Sequence, residues 1–119
     1  MYNKSKIYFI GDLHLFHRGV LVFDNRPFLD IQEHNRVLIQ NINETVKEND
    51  ELWILGDLSW GNAEQTLDLL KKIHCKNISL VIGNHDTKFL KDPKVRNRFK
   101  EICEYKELRL DNGYSVILC

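Results

Sequence analysis

Three short apolar segments, each followed directly by a glycine, constrain the fold of this chain more than any other feature. They are residues 7–10, 52–55 and 78–82, followed by Gly11, Gly56 and Gly83. β-Branched and aromatic residues are frequent in them, and polar and apolar residues do not alternate, which is typical of strands buried on both faces of a sheet. The sequence therefore predicts three buried strands.

Two helices are predicted between these segments from their capping signals. Asp30 is of a type that caps helices, Glu33 lies three positions later, and apolar residues recur at spacing four over residues 38–46. Asn62 and Gln65 repeat this arrangement before the second helical pattern. Strands that alternate with helices favour an α/β fold in which parallel strands are joined by right-handed crossovers.

The last third of the chain contains a third helical pattern and a hairpin signal. An Asp-Pro pair at residues 92–93 places proline at the first helical position. Three apolar residues after it are expected to face the core: Val95, Phe99 and Ile102. An Asn-Gly pair at residues 112–113, between two apolar stretches, is a strong signal for a tight β-hairpin.

Composition excludes several classes of protein. With 119 residues, 43% hydrophobic and 29% charged, the chain fits one globular domain. Lys+Arg and Asp+Glu are both 17, so the net charge gives no indication of a nucleic-acid or membrane partner. No apolar run is long enough to span a bilayer.

The three cysteines, Cys75, Cys103 and Cys119, form no CxxC pair. We interpret them as reduced thiols that pack in a cytoplasmic protein.

Residues of metal-binding types follow all three predicted strands. Asp12 and His14 follow the first, Asp57 follows the second, and Asn84 and His85 follow the third. Ligands of open α/β sheets bind beyond the carboxyl ends of the strands, so we expect these side chains to converge. Asp12 and His14 are two positions apart, and in an extended segment their side chains point the same way. The glycine before each group allows a tight turn and a close backbone approach.

This mixture of ligand types indicates divalent metals and phosphate chemistry. The carboxylates of Asp12 and Asp57 would repel each other in one crevice unless a cation lay between them. A set of Asp, His and Asn is neither the thiolate set of structural zinc sites nor the all-oxygen set of calcium sites. It suits Mn, Fe or Zn. Two such metals roughly 3.5–4 Å apart clamp a phosphate and lower the pKa of bound water to about 7. Asp57 is the candidate bridge, and His85 can donate a proton to the leaving oxygen.

Each of these residues also has a structural interpretation. Asp and Asn are frequent in turns and caps. His17 can orient a ligand or fill a structural role, and residues 25–28 can face the pocket, with Arg26 clamping a phosphate, or form a turn fixed by proline. Trp60 can line the pocket or pack in the core. The basic residues of segment 88–100 can attract a polyanion or form a solvated helix face.

Three motifs, residues 11–14 (Gly-Asp-Leu-His), 56–57 (Gly-Asp) and 83–86 (Gly-Asn-His-Asp), resemble the first three blocks of the calcineurin-like metallophosphoesterase superfamily, in the same order and strand context. Segment 16–28 further resembles its small bacterial and phage members. The resemblance covers essentially the whole chain. It implies a four-layer α/β/β/α sandwich, a dinuclear metal site, and hydrolysis of phosphomonoesters or phosphodiesters.

Carried over residue by residue, the resemblance implies a role for each candidate. Asp12 and His14 bind one metal, Asp57 bridges the two, Asn84 binds the second, and His85 is the catalytic histidine. The partner implied is a phosphate-ester substrate.

Two departures from the family pattern refine this expectation. The family completes its site with further histidines, including a Gly-His-x-His block, that these 119 residues do not contain. We therefore expect residues 1–119 to form the amino-terminal portion of a single metallophosphoesterase domain, truncated at its carboxyl end. The alternative is a non-catalytic metal- or partner-binding remnant of that fold. Residues 60–62 (Trp-Gly-Asn) stand where protein phosphatases have Asp-Arg-Gly, so protein phosphatase activity is not expected.

Overall fold

The computed structural model describes residues 5–11, 13–16, 30–83, 86 and 88–118. Its elements, in chain order, are β1 (Ile7–Gly11), α1 (Ile31–Thr45), β2 (Glu51–Leu55), α2 (Ala63–Lys71), β3 (Asn77–Val81), a 3₁₀ turn (Phe89–Lys91), α3 (Pro93–Arg96), β4 (Glu101–Cys103), β5 (Lys106–Arg109) and β6 (Ser115–Leu118). Within these ranges, no helix combines the length and the apolar character needed to cross a bilayer.

The first four strands form one parallel sheet in chain order. Gly11 lies opposite Leu55, and Leu55 lies opposite Val81, so β1, β2 and β3 end level with one another. The chain therefore leaves all three strands at the same edge of the sheet, the carboxyl edge. The predicted α/β fold with parallel strands is confirmed.

The helix caps follow the sequence signals. Asp30 caps α1, and its side chain accepts a hydrogen bond of 2.8 Å from the backbone amide of Glu33. Asn62 and Gln65 form a reciprocal capping box at α2, with bonds of 2.8 and 3.0 Å. Apolar residues of both helices pack on one face of the sheet in the main core, which contains Ile39, Ile42, Leu69, Leu70, Leu52, Ile54, Ile78 and Leu80.

The predicted hairpin, β5 and β6, covers part of the other face of the sheet. Its Leu118 forms a second buried cluster with Trp53 of β2 and Val81 of β3. The turn closes with a 3.0 Å bond from the amide of Gly113 to the carbonyl of Leu110. The hairpin prediction is confirmed, and the sheet is packed on both faces at β2 and β3.

The expectation of burial on both faces is wrong for β1. Ile7 and Phe9 are 41% and 40% exposed, whereas Trp53, which pairs with Phe9, is 1% exposed. The difference arises because β1 is the edge strand, while the hairpin lies over the β2 and β3 side of this face. Among the described residues, β1 thus presents an uncovered apolar face.

The third helix is shorter than its pattern predicts. α3 ends at Arg96, and Ile102, expected on its inner face, instead pairs with Leu80 in β4. The expectation that Val95, Phe99 and Ile102 share one helix face is therefore wrong, although Val95 and Phe99 are buried. The backbone groups at the edge of β3 are satisfied by pairing with β4. They would stay unpaired if residues 101–103 continued the helix instead.

Two of the cysteines are described, and both are free thiols. Cys75 is fully buried, and its thiol donates a hydrogen bond to the carbonyl of Asp50 at 3.2 Å. Burial raises the pKa of Cys75, so this group stays a protonated packing residue. Cys119 lies outside the described residues.

Candidate metal centre

The chain segments that follow β1 and β2 remain hydrogen-bonded to each other beyond the strands. The amide of His14 donates to the carbonyl of Asp57 at 3.0 Å, and the amide of Leu15 donates to that of Leu58 at 2.9 Å. Trp60 completes this ladder by donating its amide to the carbonyl of Leu15 at 2.8 Å. Two candidate ligands, His14 and Asp57, are thereby held side by side at the carboxyl edge.

Left-handed backbone conformations cluster at this edge. The φ angles are 52° at His14, 62° at Phe16, 73° at Gly56 and 47° at Asp57. Residues other than glycine adopt the left-handed conformation at a cost in free energy. Such residues persist mainly where surrounding contacts enforce this conformation, often at functional sites. The expectation that Asp12 and His14 lie in one extended segment is wrong at His14, whose backbone is left-handed rather than extended.

The segment after β3 approaches Asp57 closely through Gly83. A Cβ atom at Gly83 would lie 2.6 Å from the amide nitrogen of Asp57 and 3.0 Å from its Oδ1. No side chain fits there, so glycine is required by contact, whereas Gly56 is required by its positive φ. The carboxylate of Asp57, on the segment that leaves β2, therefore lies close to Gly83 on the segment that leaves β3.

Asp86 ties these same two segments together. It is fully buried, its Oδ1 accepts the amide of Leu58 at 2.8 Å, and its Oδ2 accepts the amide of Gly83 at 2.8 Å. The pKa of Asp86 lies above its ordinary value, mainly because of burial. The charge of Asp57 also raises this pKa, whereas the hydrogen bonds from the amides of Gly83 and Leu58 lower it. Sequence reasoning placed Asp86 in a motif without giving it a role. Its position three residues after Gly83, typical of a side chain that closes a turn, was the available signal.

The ring of His14 stacks on the indole of Trp60. The ring centroids are 4.6 Å apart and the planes differ by 17°. Stacking restricts the orientation of the imidazole. A fixed orientation favours metal binding, because the affinity for a metal depends on the direction in which the ligand ring points. Of the two interpretations of Trp60, the one that places it beside the candidate site agrees with this contact.

The other candidate residues lie outside the described part of the chain, namely Asp12, Asn84, His85, His17 and residues 25–28. Within the described part, no three His, Cys, Asp or Glu side chains converge as a metal-binding group. The described residues bring together two predicted ligands, His14 and Asp57. Imidazole and carboxylate are ligand types that suit Mn, Fe or Zn, so the residues present fit a divalent metal.

The basic segment near α3 is mainly a solvated surface. Its exposed members are Lys88, Lys91, Lys94, Arg96 and Lys100. Arg98 differs, because its guanidinium donates hydrogen bonds to the carbonyls of Ile73 at 3.2 Å and Cys75 at 2.8 Å. It therefore fixes the connection between α2 and β3, a role that the sequence did not indicate.

A groove of about 800 Å³ runs between α1 and α2 on the helical face of the sheet. Ile39 and Leu69 contribute apolar surface to it, and Phe16 contributes from the segment after β1. His14 and Asp57 do not line it, so it is distinct from the candidate metal centre.

Known proteins show the same family relationship. The family model described as calcineurin-like phosphoesterase matches residues 5–117. An uncharacterized protein of Methanocaldococcus jannaschii, MJ1445, is 36% identical over 118 residues, which are 98% of this chain and 58% of that protein. The Gene 66 protein of Mycobacterium phage L5 is 32% identical over 84 residues, 69% of this chain and 40% of its own length.

A solved structure, that of the Aquifex aeolicus protein AQ665, described as a protein of unknown function, aligns with a TM-score of 0.76 at 25% identity. The alignment covers 95% of this chain and 59% of that one. The chain thus spans 40–59% of the length of these relatives. The family match over nearly all of the chain, together with the identity to MJ1445, shows that it belongs to the calcineurin-like phosphoesterase family.

Proposed function

We propose that this chain carries metal ligands of a phosphoesterase that hydrolyses a phosphomonoester or phosphodiester with a metal-activated water at a dinuclear site. One observation carries the proposal: in a chain of the phosphoesterase family, His14 and Asp57 are hydrogen-bonded neighbours at the carboxyl edge of the parallel sheet. This edge is where open α/β sheets bind their ligands.

In this proposal Asp12 and His14 hold one metal, Asp57 bridges both, and Asn84 holds the second. Bound divalent metals would supply Lewis acidity and a lowered pKa for water, to about 7. Mn, Fe and Zn all accept this set of oxygen and nitrogen donors.

The contribution of the protein itself is to orient the imidazole of His14 and the carboxylate of Asp57 before a metal binds. The backbone bond from His14 to Asp57 and the stack on Trp60 orient the imidazole. The close approach of Gly83 fixes the position of the Asp57 carboxylate. His85 is proposed to donate a proton to the leaving oxygen, since it follows the segment that Gly83 brings against Asp57.

A second candidate is a metal- or partner-binding protein of the same fold without turnover. Length is the observation that favours it, because the matched region is 58% of MJ1445 and 59% of AQ665.

The test measures Mn²⁺ binding by calorimetry and hydrolysis of p-nitrophenyl phosphate and bis-p-nitrophenyl phosphate. Asp57→Asn keeps the shape of the side chain and removes its charge, and Asp68→Asn, at an exposed position of α2, is the matched control. We expect Asp57→Asn to abolish Mn²⁺-dependent hydrolysis and Asp68→Asn to leave it unchanged.

The outcomes separate the candidates. Mn²⁺ binding without turnover by the wild-type chain would support the second candidate. Hydrolysis by Asp57→Asn at the wild-type rate would overturn the assignment of Asp57. A wild-type chain that neither binds Mn²⁺ nor hydrolyses either ester would refute the phosphoesterase proposal and the metal-binding form of the second candidate.

A further inference from the structure

Two buried carboxylates hold backbone amides at opposite edges of the sheet. Asp50, 7% exposed, lies just before β2 and accepts the amides of Lys6 at 2.9 Å and Lys47 at 2.8 Å. Asp86, fully buried, accepts two amides at 2.8 Å at the carboxyl edge. The two groups use the same chemistry, a carboxylate that accepts two backbone hydrogen bonds, but only Asp86 lies at the candidate metal centre.

The two amides bonded by Asp86 lie on both sides of Asp57. One belongs to Leu58, the next residue in the chain, and the other belongs to Gly83, which is packed against the amide and Oδ1 of Asp57. Asp57 itself has a left-handed backbone with φ of 47°. Such a conformation persists where neighbouring contacts fix it from more than one direction.

We propose that Asp86 is a positioning residue of the metal centre, which fixes the amides of Leu58 and Gly83 and thereby the direction of the Asp57 carboxylate. This inference gives Asp86 a positioning role rather than a ligand role, because the residue is fully buried and each of its oxygens is directed at a backbone amide. The inference rests on the proposed function. It adds a residue that acts through Asp57 rather than on the substrate.

The experiment compares Asp86→Asn with Asp50→Asn in the 119-residue chain. Each change keeps the shape of the side chain and replaces one accepting oxygen by an NH₂ group that faces a backbone donor. Both variants should unfold at a lower temperature than the wild type. We expect the Mn²⁺ dissociation constant, measured by calorimetry, to rise about 10- to 100-fold in Asp86→Asn, as for other residues that orient metal ligands, and to stay unchanged in Asp50→Asn.

A second measurement needs no variant, so it remains informative if Asp86→Asn fails to fold. Amide hydrogen exchange of the metal-free wild-type chain should show protected amides at Leu58 and Gly83, because positioning requires both bonds before the metal arrives. Exchange at the rate of exposed amides would overturn the inference.

The remaining outcomes distinguish this inference from the proposed function. A wild-type chain that binds Mn²⁺ while Asp86→Asn binds it equally well refutes the role of Asp86 alone. Equal weakening in Asp86→Asn and Asp50→Asn shows an effect of general stability and also refutes it. A wild-type chain that binds no Mn²⁺ refutes the proposed function and this inference with it.

Discussion

Replacing Gly83 by alanine tests how tightly the segments at the carboxyl edge are packed. The added methyl carbon would lie 2.6 Å from the amide nitrogen of Asp57 and 2.9 Å from the Cα of Gly56, both backbone atoms. Ordinary contact begins at 3.4 Å, so the two segments must separate by about 0.8 Å. A metal–ligand distance is set to within about 0.2 Å. The displacement is therefore large enough to misplace Asp57 as a ligand.

Two quantities should change in Gly83→Ala. The free energy of unfolding should fall by about 1–3 kcal/mol, the usual cost of an overpacked site. The additional stability from Mn²⁺, about 2.7 kcal/mol when the free metal is at 100 times its dissociation constant, should largely disappear. Urea unfolding with and without Mn²⁺ measures both quantities in one series.

Gly113→Ala is the matched control for this change. Gly113 has φ of 87°, and a Cβ there would meet no atom within 4 Å. The substitution should cost about 1–2 kcal/mol from backbone strain alone and leave the Mn²⁺ increment intact. If Gly83→Ala retained the full Mn²⁺ increment, the argument that close packing at Gly83 positions Asp57 would be refuted.

Two further predictions concern the scaffold. Arg98→Met should lower the free energy of unfolding by about 1–3 kcal/mol, because two carbonyls lose a charged donor, whereas Arg96→Met, at an exposed position of α3, should be close to neutral in the same urea experiment. Hydrogen bonds from the amides of Lys6 and Lys47 hold the pKa of Asp50 below its ordinary value. Ionised Asp50 therefore stabilises the fold above about pH 4, and this stabilisation is lost as the pH falls towards the lower folded-state pKa. As the pH falls from 6 to 3, the melting temperature of Asp50→Asn should therefore fall less than that of the wild type. An equal fall in both proteins would contradict the stabilising role of ionised Asp50.

Local signals in the sequence predicted most of the fold. The caps at Asp30 and Asn62 and the hairpin turn at Gly113 depend on residues a few positions apart, and the structure has all of them. β4 was missed because Ile102 fits a helical spacing after Val95. Its strand conformation comes from pairing with Leu80, a contact distant in the sequence.

The candidate site was predictable as a location rather than as a geometry. The order of strands and glycines correctly indicated that His14 and Asp57 lie at one edge of the sheet. The left-handed turn at His14 and the bonds made by Asp86 depend on contacts between separate segments, which spacing along the chain does not reveal. The chemical roles of all five candidate residues remain predictions, namely those of Asp12, His14, Asp57, Asn84 and His85.

The order of the parallel sheet, β1-β2-β3-β4, has a consequence for how the protein forms during synthesis. Each of β2, β3 and β4 pairs with the described strand made before it, so none of these three waits for a later partner to leave the ribosome. Each helix-containing crossover delivers the next strand to an edge that already exists, and the sheet can grow from one side as the chain emerges. The growing edge at every stage is the most recently made strand, and each addition covers it.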